Sequence, residues 1–130
     1  MGLDQYAYVA NKAGAMREYW EQDGDIAVSN VTKPREIAYW RKHPNLQGWM
    51  RQLWERKGNS GEFNGDELEL TYEDLEELER AITHNQLPKT SGFFFGDNSD
   101  EHYRESDLEF IKNARAELFF GLKVFYNSSW

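Results

Sequence analysis

Directly behind Pro44, the residues Leu46, Trp49, Met50, Leu53 and Trp54 fall at i, i+3, i+4, i+7 and i+8. That spacing is one face of an α-helix and fits no strand, in which side chains alternate between two faces. Pro44 suits the first turn, where its missing N–H is not needed. Arg51, Gln52, Glu55 and Arg56 occupy the opposite face, and Gly58-Asn59-Ser60-Gly61 ends the helix in a loop. A helix that is apolar on one side only must lay that side against other elements, and the rest of the chain has to supply them.

Short extended segments supply part of the cover. Leu3–Ala10 reads as a strand, with Tyr6 and Tyr8 on one side and Leu3, Ala7 and Val9 nearer the other. Glu36-Ile37-Ala38-Tyr39-Trp40, entered after Pro34, reads as a second, and Glu67-Leu68-Glu69-Leu70 as a brief third. Lys123–Asn127 alternates and reads as a final strand that pairs with the first. Ile26-Ala27-Val28 is a further short candidate, and Ala13, Met16, Arg17 and Trp20 make a short helical stripe weakened by Gly14. Two more helices are expected. Thr71 and Asp74 have capping-box spacing ahead of an apolar stripe of Tyr72, Leu75, Leu78 and Ile82. Ser106 and Glu109 repeat the spacing before Leu108, Ile111, Leu118, Phe119 and Leu122, with Gly121 as the stop. Strands near both ends and the middle, with helices between them, predict an α+β fold: a small, mostly antiparallel sheet packed on one face by two to three amphipathic helices.

At 130 residues the chain is expected to form one domain, 1–130, able to hold itself together without staples. It contains no cysteine, which excludes disulfides, thiolate metal ligands and thiol nucleophiles and fits a reducing cytoplasm. No basic-then-apolar leader and no apolar run of membrane-spanning length is seen, so no membrane partner is expected. The formal charge of −8, from 23 acidic and 15 basic residues, opposes direct nucleic-acid binding and leaves a basic protein partner open.

Candidate chemistry is sparse. His43, His84 and His102 lack zinc-protease spacing and read as surface histidines near helix ends. Asp97, Asp100 and Glu101 lack calcium-loop register and read as a solvated turn into a helix. There is no phosphate-binding glycine loop and no nucleophile elbow, so no catalytic residue, metal or cofactor is expected. Three segments stand out instead. Ser91-Gly92-Phe93-Phe94-Phe95-Gly96 sets three adjacent phenylalanines between glycines that let the backbone bend. It is either a very short buried strand or an aromatic clamp beside a pocket. Tyr39-Trp40-Arg41-Lys42 places two cations after two aromatics at a strand-to-helix junction. It is either an anion cradle, with Arg41 gripping a phosphate or carboxylate, or a core Trp40 beside an Arg41 paired with a local carboxylate. The terminal Trp130 is expected to dock, since its apolar surface is unfavourable in water. A ligand site would therefore draw on Tyr39, Trp40, Arg41, Lys42, Ser91 and the Phe93, Phe94, Phe95 run, with Trp130 beside them. The glutamates at 73, 76 and 77 form a solvated face or a patch for a basic partner, with Glu73, Glu76 and Glu77 as its contacts.

Four of these motifs, in order, resemble a family of small phage- and cyanophage-associated proteins: the start Met1-Gly2-Leu3-Asp4, Tyr39-Trp40-Arg41-Lys42, Leu87-Pro88-x-x-Ser91-Gly92-Phe93-Phe94-Phe95-Gly96, and Ser128-Ser129-Trp130. The likeness runs from end to end with gaps. This chain departs from it at Gln47, where many relatives carry histidine, and over Asn11–Thr32. The resemblance implies an accessory protein acting in the cytoplasm of an infected host cell and carries no named activity. The expected roles are a non-catalytic interaction protein acting on a host or defence component, a protein that binds or sequesters a small anionic, nucleotide-like ligand, and, behind these, a small enzyme or a minor virion component. A homodimer through an aromatic face is compatible with each.

Overall fold

The computed structural model describes residues 2–10, 35–90 and 100–130. The expected strand at Ile26–Val28, the helical stripe at Ala13–Trp20 and the Ser91–Gly96 run lie outside the described residues. The fold is α+β. Strands β1 (Asp4–Ala10), β2 (Arg35–Arg41), β3 (Leu68–Leu70) and β4 (Lys123–Ser129) form one sheet in the order β2-β1-β4-β3, antiparallel throughout. Helices α1 (Pro44–Arg56), α2 (Tyr72–Thr83) and α3 (Asp100–Phe119) accompany it.

β4 pairs with β1 along its whole length, from Asp4 opposite Ser129 to Ala10 opposite Lys123. The register sets Gln5, Ala7 and Val9 on one face with Trp40, Tyr126 and Val124. That face meets the helices. All five residues of the α1 stripe are buried there, as are Leu75, Leu78 and Ile82 of α2 and Phe110 and Ile111 of α3. Each large side chain so buried contributes about 2 kcal/mol. The opposite face carries a second cluster, Tyr8, Ala10 and Phe125, in which the Tyr8 and Phe125 rings stack with centroids 5.5 Å apart. Tyr8 donates to Glu67 there, and burial, then that carboxylate, push its hydroxyl pKa upward. Between Ala7 and Tyr8 the β1–β2 register slips by one residue at Ile37, a β-bulge.

The Thr71–Asp74 capping box is present in both directions, with the Asp74 backbone N–H donating to Thr71 Oγ1 (3.2 Å) and the Thr71 N–H to Asp74 Oδ2 (2.9 Å). Lys57 Nζ reaches the same carboxylate at 2.7 Å. Burial alone would raise the Asp74 pKa, but Lys57 and Thr71 together outweigh it and hold it below the usual range.

Two helix readings need correction. Tyr72 is half-exposed, with Arg115 over its ring, because the buried stripe of α2 begins at Leu75. α3 starts at Asp100, not near Ser106, since Asp100 and Glu101 suit the positive end of a helix. Its buried face consequently runs through Asp107, Phe110, Ile111 and Ala114, and Phe119 points into water. Gly121 does end the helix. It has φ 89°, its N–H bonds Leu118 O, and Leu122 N–H bonds Glu117 O, a Schellman turn.

Candidate functional site

The most ordered polar feature lies where β2 passes into α1. Lys42 adopts φ 59° and turns the chain while its N–H still reaches Leu3 O at 2.9 Å. At the next residue, His43, the side chain of Gln5 takes the place a neighbouring strand residue would have. Gln5 Oε1 accepts from the His43 N–H (2.8 Å) and Gln5 Nε2 donates to the His43 carbonyl (3.1 Å). The second Nε2 hydrogen goes to Tyr126 Oη (2.9 Å), and that hydroxyl donates to Gln47 Oε1 (2.6 Å). The His43 ring enters the core, where Nε2 meets Asp107 Oδ2 at 2.8 Å, and Trp40 Nε1 donates to Asp107 Oδ1 at 2.8 Å. Tyr103 stacks on the imidazole, centroids 4.9 Å apart. Gln5, His43, Trp40, Gln47, Asp107 and Tyr126 are all at most 2% exposed. Burial, and to a lesser extent the charge of Asp107, push the Tyr126 hydroxyl upward against the hydrogen bonds from its neighbours.

This network couples a histidine to a carboxylate in the way a general base is oriented, but the ring has no exposed surface. The chemistry it performs is positional: it fixes the turn at 42–43 and the start of α1 to the sheet. Asn45, in the first turn of α1, extends it. Asn45 Oδ1 accepts from Thr90 N–H (2.8 Å) and Asn45 Nδ2 donates to Asp100 Oδ2 (3.1 Å). One side chain therefore holds the residues on either side of segment 91–99.

Those expected ligand residues that are described divide between the two faces of the sheet. Strand alternation sends Trp40 into the core, against Phe110 at 5.1 Å, and Tyr39 and Arg41 to the other face. There Tyr39 Oη donates to Asp4 Oδ1 (2.8 Å) and Arg41 pairs with the same oxygen (3.1 Å). The carboxylate holds the Arg41 pKa above its ordinary value, and the hydrogen bond to it raises that of Tyr39. Of the two readings of Tyr39–Lys42, these contacts are those of a core tryptophan beside a locally paired arginine. Ser91, Phe93, Phe94 and Phe95 lie outside the described residues. Trp130 does dock: Asn64 bonds its backbone N–H and C=O, and its indole N–H reaches Phe63 O at 3.1 Å. It lines a cleft of about 360 Å³ with Gln47, Arg51, Phe63 and Thr90. At the floor of that region Gly48 admits Thr90, since a Cβ there would stand 1.8 Å from Thr90 Oγ1. On α2, Glu73 and Glu76 are exposed, and Glu77 faces Arg56 at 3.3 Å.

His43 is not a surface histidine, and Gln5, Gln47, Asp107 and Tyr126 are the residues the sequence reading missed. No local spacing links them, for Gln5 and Tyr126 are 121 positions apart. Among the described residues no group of three or more acidic or histidine side chains is placed to hold a metal, and no helix is long and apolar enough to cross a membrane. No protein-family model, curated protein or solved structure matches the chain.

Proposed function

We propose that this protein is a non-catalytic interaction protein that binds a basic partner protein. The observation that carries the reading is the pair Phe119 and Phe120, 86% and 77% exposed, at the turn from α3 into β4. Their rings stand edge to face at 5.7 Å, and the Schellman turn behind them fixes the backbone that presents them. Two adjacent phenylalanines left in water are unfavourable for the isolated chain and have the character of interface anchors. The exposed carboxylates Glu73 and Glu76, with the net charge of −8, favour a partner of opposite sign. The motif resemblance supports a host or defence protein in the cytoplasm of a phage-infected cell as that partner.

The test is paired affinity capture from infected-host lysate with the wild type and Phe119→Ser/Phe120→Ser. A protein enriched by the first and lost with the second is the expected result. Identical captured sets would overturn the reading.

A second reading is favoured by the cleft at Trp130. It sets one guanidinium, Arg51, beside an indole, a combination suited to a small planar anion that displaces Glu55 from Arg51 (3.5 Å) and keeps clear of the lining carboxylate of Glu62. Quenching of tryptophan fluorescence by such an anion, abolished in Arg51→Ala, would favour it.

A further inference from the structure

Among the described strands β2 is an edge of the sheet, and its outer side is used in an unusual way. Lys42 N–H bonds Leu3 O, so the hydrogen-bonded pairs with β1 are Leu3–Lys42, Gln5–Trp40 and Ala7–Ala38. The N–H and C=O of the intervening Arg41 and Tyr39 then point away from the sheet. Arg41 has them satisfied by one hydroxyl: Tyr103 Oη accepts from Arg41 N–H (3.1 Å) and donates to Arg41 C=O (2.7 Å). Tyr103 thus stands in for one residue of a missing strand. Tyr39, next along the edge, has no such substitute among the described residues.

α3 runs antiparallel to this edge and is fastened to it at both ends. Tyr103 holds Arg41, and Glu117 holds Arg35 at 3.0 Å. The two spans match: fourteen helical residues and six strand residues both cover about 20 Å. Between the fastenings the helix and the strand leave a groove, made of two cavities of about 260 and 300 Å³ that share Ile37 and Asn113 in their linings. Phe110 floors one part. Glu109 and Glu36 line it and make no ion pair among the described residues, while its one lining cation, Arg35, is held by Glu117.

We propose that this groove binds an extended peptide carrying lysine or arginine, which adds to β2 as a fifth strand. Main-chain hydrogen bonds to Tyr39 supply the docking, and Glu109 and Glu36 select the charge. The inference rests on the interaction reading in that the peptide belongs to a partner, but it uses a surface other than Phe119–Phe120.

The test is amide NMR on the ¹⁵N-labelled full chain, titrated with an N-acetylated, C-amidated peptide of alternating lysine and valine, seven residues long. Slowing of Tyr39 amide exchange by tenfold or more and contacts between peptide and β2 are expected. Binding should weaken about tenfold in Glu109→Lys at low salt, and vanish when the peptide is N-methylated along its pairing edge. Retained binding in Phe119→Ser/Phe120→Ser separates this site from the phenylalanine pair. No effect at Tyr39 up to millimolar peptide would overturn the proposal. So would equal binding of the N-methylated peptide or of one with glutamate for lysine, or pairing of β2 with a second copy in the absence of peptide.

Discussion

Replacing Asp107 tests whether the buried network holds the fold. Its carboxylate receives two donors, Trp40 Nε1 and His43 Nε2, each at 2.8 Å. Trp40 is 1% and His43 0% exposed, so water cannot reach either donor without opening the core. In Asp107→Leu both are orphaned, at about 1–3 kcal/mol each. Removing the buried carboxylate returns part of that, and the net loss should be about 3–5 kcal/mol, within the range the two orphaned donors set together. Against a total stability of about 5–15 kcal/mol this is a large fraction, and it corresponds to a fall in Tm of about 10–20 °C. Asp107→Asn keeps an acceptor for Trp40 but turns an N–H toward His43, and should lose about half as much. Urea unfolding at pH 7, followed by tryptophan fluorescence and far-ultraviolet circular dichroism, gives the values. A cycle with Trp40→Phe should show a coupling of about 1–2 kcal/mol. A loss under about 1 kcal/mol in Asp107→Leu, or strict additivity with Trp40→Phe, would refute a network that acts as a unit.

The other expectations are smaller. Asp74→Asn should cost about 1 kcal/mol at pH 7 through the weakened capping box. Because the Asp74 pKa is depressed in the fold, its contribution is present above the unfolded value near 4 and is lost as pH falls further, so wild type and variant should converge in acid melts. Tyr8 and Tyr126 are raised, so they stabilise the fold fully below the unfolded value near 10 and less as pH climbs beyond it. Absorbance at 295 nm should show them ionising only together with base unfolding. Gly48→Ala forces a Cβ onto Thr90 and should cost about 1–3 kcal/mol in urea unfolding, with partial rescue by Thr90→Gly. Phe119→Ser/Phe120→Ser should leave stability within about 0.5 kcal/mol per site while removing partner capture.

The parts of the fold that announce themselves are those whose cause is local. The α1 stripe is periodic, Thr71 and Asp74 sit at cap spacing, and Gly121 marks a backbone turn, so each was readable from a few neighbouring residues. α3 misled because Ser106 and Glu109 imitate a cap inside a helix that Asp100 and Glu101 had already begun. The site was less legible than the fold. Tyr39–Lys42 looks like a cluster in one dimension, yet alternation along β2 splits it between two faces. Gln5, His43, Asp107 and Tyr126 form a cluster that exists only after β1, β4 and α3 have met, and no window of sequence contains it.

The pairing of β1 with β4 has a consequence in time. Ala10 leaves the ribosome well before Lys123 has been made, and at about 5–20 residues per second the wait is roughly 6–20 seconds. During that interval Ala7 and Val9 have no permanent neighbour on the β4 side, and Gln5 lacks Tyr126. The nascent chain therefore carries an unfinished strand until β4 has been made, the stage at which a chaperone or an aggregating neighbour would find it.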